Sequence, residues 1–159
     1  PPYDTFSQII TDGVLSSYEY NGTIAPPFTT FFGLYYRHFS NPGVPDWGLP
    51  DRWVPAPAGL DLGTPLNFVS TADTYGGNSG SPAITPELEI VGLNFDRNIQ
   101  GLSRDYIYLP EQGRNVMVDV RAILEALDDV YDADRIVAEL LRGQLFPTEA
   151  EADALGRLR

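Results

Sequence analysis

The apolar residues of this 159-residue chain change period once, at Asp119, and that change constrains the fold more than any other feature. Before it, short β-like runs alternate with turn-forming residues. After it, Val120, Ile123, Leu124, Leu127, Val130 and Tyr131 recur at the i, i+3, i+4, i+7 spacing of a helix. Asp119 stands where a helix N-cap belongs. Ile136, Val137, Leu140 and Leu141 continue in a second helix, and Thr148 with Glu151, just after Pro147, makes a capping-box start for a third. The expected fold is mainly β with C-terminal helices: a β portion over residues 1–118 and a helical segment over 119–159.

Within the β portion, residues 14–20, Asn21-Gly22 and residues 23–25 read as a hairpin, because Asn-Gly supplies the two positive-φ residues of a type I′ turn. Asn21-Gly22-Thr23 is also formally a glycosylation sequon, but the turn explains it more simply. Between residues 39 and 62, Pro42, Gly43, Pro45, Gly48, Pro50, Pro55, Pro57 and Gly59 mark an irregular connection, which Trp47 and Trp53 are expected to pin to the body. Residues 65–70 read as a strand, and a Gly-rich bend follows over 75–82. Residues 83–85 and 88–95 then form a second hairpin. A polar loop through 98–104 leads to β-like runs over 105–109 and 115–118.

Composition excludes several chemistries. There is no Cys, no Lys and a single His, His38, so a thiol nucleophile, a disulfide framework, a Lys Schiff base and a multi-His metal site are all ruled out. No cofactor and no metal are expected. The formal charge of −12 argues against binding nucleic acid by phosphate neutralisation. No run approaches the ~18 apolar residues that span a bilayer, so no membrane insertion is expected. Ten of the 22 acidic residues lie between Asp119 and Asp153, which reads as a solvated helical face.

The segment with the most chemistry in it is Gly77-Asn78-Ser79-Gly80-Ser81-Pro82. A nucleophilic Ser in acyl transfer needs a tight bend that projects its Oγ, with main-chain N–H groups beside it for the tetrahedral oxyanion. Gly77 can present its N–H together with that of Ser79, since no Cβ blocks the turn. A plain Gly/Ser loop is the competing explanation. Arg97 follows Ser79 by 18 residues, within Asn94-Phe95-Asp96-Arg97-Asn98. Its guanidinium is either a fixed cation suited to a substrate carboxylate or a structural partner of neighbouring acids, Asp96 included.

The order of elements from residue 65 onward resembles the last third of a chymotrypsin-like double β-barrel protease. The closer resemblance is carried by Phe68-Val69-Ser70-Thr71-Ala72-Asp73, the bend at 76–82, and Val91-Gly92-Leu93-Asn94-Phe95-Asp96-Arg97-Asn98. These segments look like the S46 family of dipeptidyl peptidases. Phe28-Thr29-Thr30 with Gly33, Val118-Asp119-Val120-Arg121, and Tyr131-Asp132-Ala133-Asp134-Arg135 resemble further blocks of that family.

The resemblance implies a serine exopeptidase that releases dipeptides from peptide N-termini, and a second barrel followed by an α-helical tail. Ser79 is then the nucleophile, and Gly77 and Ser79 are oxyanion donors. Asp96 would hold the substrate α-amino group, Phe95 would lie in the substrate-binding strand, and Arg97 would select Asp or Glu at P1. The family is periplasmic and commonly dimeric, with peptides as partners.

In that family the triad His and Asp precede the Ser by a long stretch, in a motif this chain does not contain. The stretch Tyr35-Tyr36-Arg37-His38-Phe39 reads as surface or linker beside the Pro-rich loop, and His38 is expected to be a solvent-facing or locally bonded residue rather than the base. With Pro1-Pro2 at its start, the chain is expected to be the C-terminal piece of a longer enzyme, inactive alone, with the first barrel and helical cap outside it. An HtrA-like endopeptidase and a non-catalytic protease-like binding module are the alternatives.

Overall fold

The structure, a computed structural model, describes residues 10–154. Strand β1 (Tyr18–Tyr20) turns back into β2 (Thr23–Ala25) through Asn21 and Gly22, whose φ values of 48° and 77° are those the turn requires. The main sheet is five-stranded and antiparallel throughout. Its members are β3 (Phe28–Thr30), β4 (Pro65–Ser70), β5 (Pro82–Ile84), β6 (Ile90–Arg97) and β7 (Asn115–Asp119), in the spatial order β3-β4-β7-β6-β5. The strand expected over 65–70 and the hairpin β5–β6 are where the sequence placed them.

Three expectations are corrected. The closed barrel is not formed by the described residues: β3 and β5 stand at opposite edges of an open sheet. The β-like run over 105–109 is not a strand. Residues Ile99–Asp105 wind into a 3-10 helix instead, and the stretch is tied off at its base. The Asn98 amide donates to the Arg114 carbonyl at 2.9 Å, its Nδ2 donates to the Gln112 carbonyl at 2.8 Å, and its Oδ1 accepts from the Arg114 amide at 2.7 Å. Strand β6 therefore hands over to β7, and the intervening residues stay outside the sheet.

The third correction concerns the segment holding His38. It is a helix, α1 (Phe31–Ser40), capped by Thr30, whose hydroxyl accepts from the Gly33 amide. Phe31 and Tyr35 point inward and are buried, with Leu34 packed beside them. Phe32, Tyr36 and Phe39 face outward. Phe31 is fully buried, and removing that ring from water stabilises the fold by about 1.5–3 kcal/mol.

The core lies between α1, the Pro-rich connection and the helices after β7. Phe31, Tyr35, Leu60, Ala122 and Val130 form it, with Trp53 packed against them. Trp53 pins the connection as expected: its carbonyl accepts from the Tyr35 hydroxyl at 2.8 Å and its indole N–H donates to Tyr131 at 3.3 Å. Burial pushes the Tyr35 hydroxyl above the ordinary phenolic pKa.

Asp119, the last residue of β7, caps α2 (Val120–Glu125) by accepting from the Arg121 amide at 2.9 Å. The same carboxylate holds the Arg121 guanidinium through Nε at 2.9 Å and Nη2 at 2.7 Å, and this bond raises the Arg121 pKa. The helical period continues through a π-helical stretch, Ala126–Val130. Helix α3 (Asp134–Arg142) and the short α4 (Glu149–Asp153) follow. Thr148 stands at the N-cap of α4 without donating or accepting a side-chain cap bond, so the capping box read there is not closed.

Candidate active site

Ser79 sits in the loop between β4 and β5, on a bend that two glycines make possible. Gly77 has φ = 96° and Gly80 has φ = 88°, a backbone region that side-chain-bearing residues rarely enter. Asn78 closes the turn between them: its amide donates to the Tyr75 carbonyl at 3.1 Å and its Oδ1 accepts from the Tyr75 amide at 2.8 Å. Ser79 is left exposed at the apex. Among the described residues, no protein acceptor takes up the main-chain N–H of Gly77 or of Ser79. Two unengaged N–H donors beside an exposed hydroxyl can chemically serve a developing oxyanion.

Strand β6 runs alongside this bend and is irregular where they meet. Its register against β7 pairs Asn94 with Met117 but Asp96 with Val116, so Phe95 is the extra residue of a β-bulge. Without the bulge, Asp96 would share the inward face of Asn94. With it, Phe95 and Asp96 are both exposed. The Phe95 carbonyl accepts from the Ser79 hydroxyl at 3.3 Å, and the Asp96 carboxylate accepts from the Arg97 amide at 2.8 Å.

A cleft of about 220 Å³ opens here, lined by Thr74, Tyr75, Gly76, Ser79, Asn94, Phe95, Asp96 and Arg97. The structure thus brings Ser79, Phe95, Asp96 and Arg97 to one cavity, with Gly77 on the adjoining turn. His38 is not among these lining residues. Its Nδ1 is 2.8 Å from the Trp47 carbonyl and its ring packs against Phe39, the local bonding expected of it. Among the described residues no cluster of His, Cys, Asp and Glu could hold a metal ion, and no helix is long and apolar enough to cross a membrane.

Sequence reasoning missed the polar layer beneath the bend. Asn94 and Asn115 are buried, at 5% and 0% exposure, on strands where apolar side chains would be expected. The Asn94 main chain accepts from Gly80 at 2.7 Å and donates to Ser81 at 2.9 Å, while its Nδ2 donates to the Asn78 carbonyl at 3.2 Å. The available signal was the polar Asn inside Val91-Gly92-Leu93-Asn94-Phe95, at an inward position of an otherwise apolar strand.

Several known proteins are similar to this chain in sequence and fold. A family model described as Peptidase S46 matches residues 1–142. The Asp/Glu-specific dipeptidyl-peptidase of Capnocytophaga gingivalis is 38% identical over 120 residues, which cover 70% of this chain and 17% of that protein. The protein of the same description from Shewanella putrefaciens is 46% identical over 76 residues, 48% of this chain and 10% of its own length. Among solved structures, Porphyromonas endodontalis DPP11 in complex with the dipeptide Arg-Asp superposes with a TM-score of 0.71 at 26% identity, covering 82% of this chain and 20% of that one. The chain therefore spans a fifth or less of the length of these relatives.

Proposed function

The chain belongs to the peptidase S46 family, and on that premise we propose that it carries the nucleophile and the S1 pocket of a serine dipeptidyl peptidase that prefers Asp or Glu at P1. The observation that carries this reading is the single cleft shared by Ser79, Asp96 and Arg97.

In the proposed reaction, Ser79 Oγ attacks the carbonyl of the second residue from the substrate N-terminus, and its proton passes to a general base. The tetrahedral oxyanion lies against the N–H groups of Gly77 and Ser79. Its collapse breaks the C–N bond, the base returns the proton to the leaving amine, and water then releases the dipeptide from the acyl-enzyme. Asp96 receives the substrate α-ammonium, which fixes the cut at two residues from the end. Arg97 offers a planar donor fork to the P1 carboxylate. An apolar P1 offers that fork no acceptor, which disfavours it relative to Asp or Glu.

The base and its orienting acid are proposed to lie outside this chain, in the part of the polypeptide that makes up most of the relatives' length. His38 is bonded to the Trp47 carbonyl and is given no part.

The test uses the full-length protein containing this chain. It should release dipeptides from peptides with a free N-terminus and react covalently with a fluorophosphonate, and Ser79→Ala should abolish both. Unchanged labelling or turnover in Ser79→Ala would overturn the assignment of the nucleophile. An inert wild-type protein would point to a non-catalytic relative.

A further inference from the structure

A line of buried polar side chains crosses three adjacent strands and ends at the bend that holds Ser79. On β4, the Ser70 hydroxyl donates to Asn115 Oδ1 at 2.7 Å and the Ser70 amide donates to the same oxygen at 3.1 Å. On β7, Asn115 Nδ2 donates to Asn94 Oδ1 at 3.3 Å. On β6, Asn94 Nδ2 donates to the Asn78 carbonyl at 3.2 Å. Ser70, Asn115 and Asn94 are 7%, 0% and 5% exposed. Asn115 pairs directly with Ser70 and lies diagonal to Asn94, the placement that lets side chains on one sheet face meet.

The orientation of this line matters for Ser79. The Asn78–Ser79 peptide is trans, and in a planar trans peptide the carbonyl and the following N–H point in opposite directions. The Asn78 carbonyl is held inward by two donors, Asn94 Nδ2 and the Ser81 amide at 3.0 Å. The Ser79 N–H is thereby turned outward, away from the sheet. Asn115 fixes the Asn94 carboxamide by occupying its oxygen, which leaves the nitrogen aimed at Asn78. A buried amide costs free energy unless its groups are bonded. Here each bond points along the same path to the same peptide plane.

We propose that Asn94, oriented by Asn115 and Ser70, is a positioning residue that aims the main-chain N–H of Ser79 at the oxyanion of the reaction. The inference rests on the reading of Ser79 as nucleophile given above. Asn94 itself acts through the Asn78–Ser79 peptide and not through the substrate.

The test is Asn94→Asp in the full-length enzyme, which keeps the acceptor for Asn115 and removes the donor to Asn78. The expected result is a fall in kcat of about 10–100-fold with KM nearly unchanged, below the ~10²–10³-fold cost of deleting an oxyanion donor outright. Affinity for a dipeptidyl aldehyde, whose hemiacetal carries the oxyanion, should fall in parallel. Affinity for the product dipeptide should hold within about twofold, as follows if only the oxyanion contact is lost. An unchanged kcat, or equal weakening of aldehyde and product, overturns the proposal.

Should Asn94→Asp fail to fold, Ser70→Ala decides. It removes only the hydroxyl that bonds Asn115 and should show the same split at about threefold, as a more distant link would. A kcat equal to the parent's in that folded variant overturns the proposal. Ser79→Ala separates the two claims: residual turnover there condemns the nucleophile assignment, whatever Asn94 does.

Discussion

The hydroxyl of Ser79 and the main-chain carbonyl of Phe95 are joined across 3.3 Å, and Phe95 is the one residue of β6 opposite Met117 and Val116 that pairs with neither. The bend and the bulge are therefore one arrangement. Deleting Phe95 should restore plain alternation with Asp96 still outward, remove the carbonyl that meets Ser79 and lower dipeptidyl activity by more than about 100-fold, the order of loss that misplacing groups at a reacting centre produces. Phe95→Ala keeps the backbone and should change KM by a few-fold with kcat intact. Steady-state kinetics on both variants in the full-length enzyme checks this.

Arg97→Gly should lose cleavage after Asp or Glu by about 30-fold or more, as removal of one partner of a desolvated charge pair does. The same variant should admit apolar P1 residues. A panel of dipeptidyl substrates differing only at P1 reads the exchange, and selectivity that does not move removes Arg97 from the pocket's chemistry.

Asp119 serves two bonds of different worth. Its cap on α2 is buried, whereas the side chain of Arg121 is 56% exposed, so the ion pair is screened. Asp119→Ala should cost about 1–2 kcal/mol, mostly the cap. Asp119→Asn keeps an acceptor for the Arg121 amide and should cost less than about 1 kcal/mol. Urea midpoints of the two variants should fall in that order.

Arg114 is 3% exposed and spends its guanidinium on main-chain carbonyls: Ser16 at 3.0 Å, Ser17 at 2.7 Å, Pro110 at 2.7 Å and Gly113 at 2.7 Å. It clasps the approach to β1 against the turn before β7. Lys has too few donors, in the wrong geometry, to replace it. Arg114→Lys should destabilise by about 2–4 kcal/mol, because several carbonyls lose their donor. A cleavage assay with a nonspecific protease should find earlier cutting near residues 14–17 and 109–113.

Tyr35 sets an alkaline limit. Its proton is held more tightly in the folded chain, since burial raises its pKa. Stability that is fully present below the ordinary phenolic value of about 10 is therefore lost as pH rises through the raised one. Tyr35→Phe should cost about 1 kcal/mol at neutral pH through the lost 2.8 Å bond to Trp53. It should lack the alkaline decline, so the gap to the parent narrows above pH ~10. Unfolding midpoints between pH 7 and ~11 decide it.

What could be read from the sequence was what neighbouring residues decide among themselves. Asn21-Gly22 specifies its turn locally, Asp119 caps the helix that begins one residue later, and Gly77 and Gly80 allow their bend without outside help. Helix α1 was obscured because Phe32, Tyr36 and Phe39 face outward while Phe31 and Tyr35 face inward, so aromatic residues blur its period. The bulge at Phe95 is a relation between two strands and exists only in their register. The buried path through Ser70, Asn115 and Asn94 likewise joins residues 45 and 21 positions apart. The Ser79 bend was legible; the layer that orients it was not.

Under the roles proposed here, the β6 bulge has a metric consequence. One strand presents both the carbonyl that meets Ser79 and, two residues later, the Arg97 side chain. The offset between the bond that is cut and the side chain that is recognised is then written in covalent geometry, like two marks on a single ruler. Rearrangement of surrounding segments can alter how often cutting occurs, while the choice of residue at the cut stays calibrated by the strand itself.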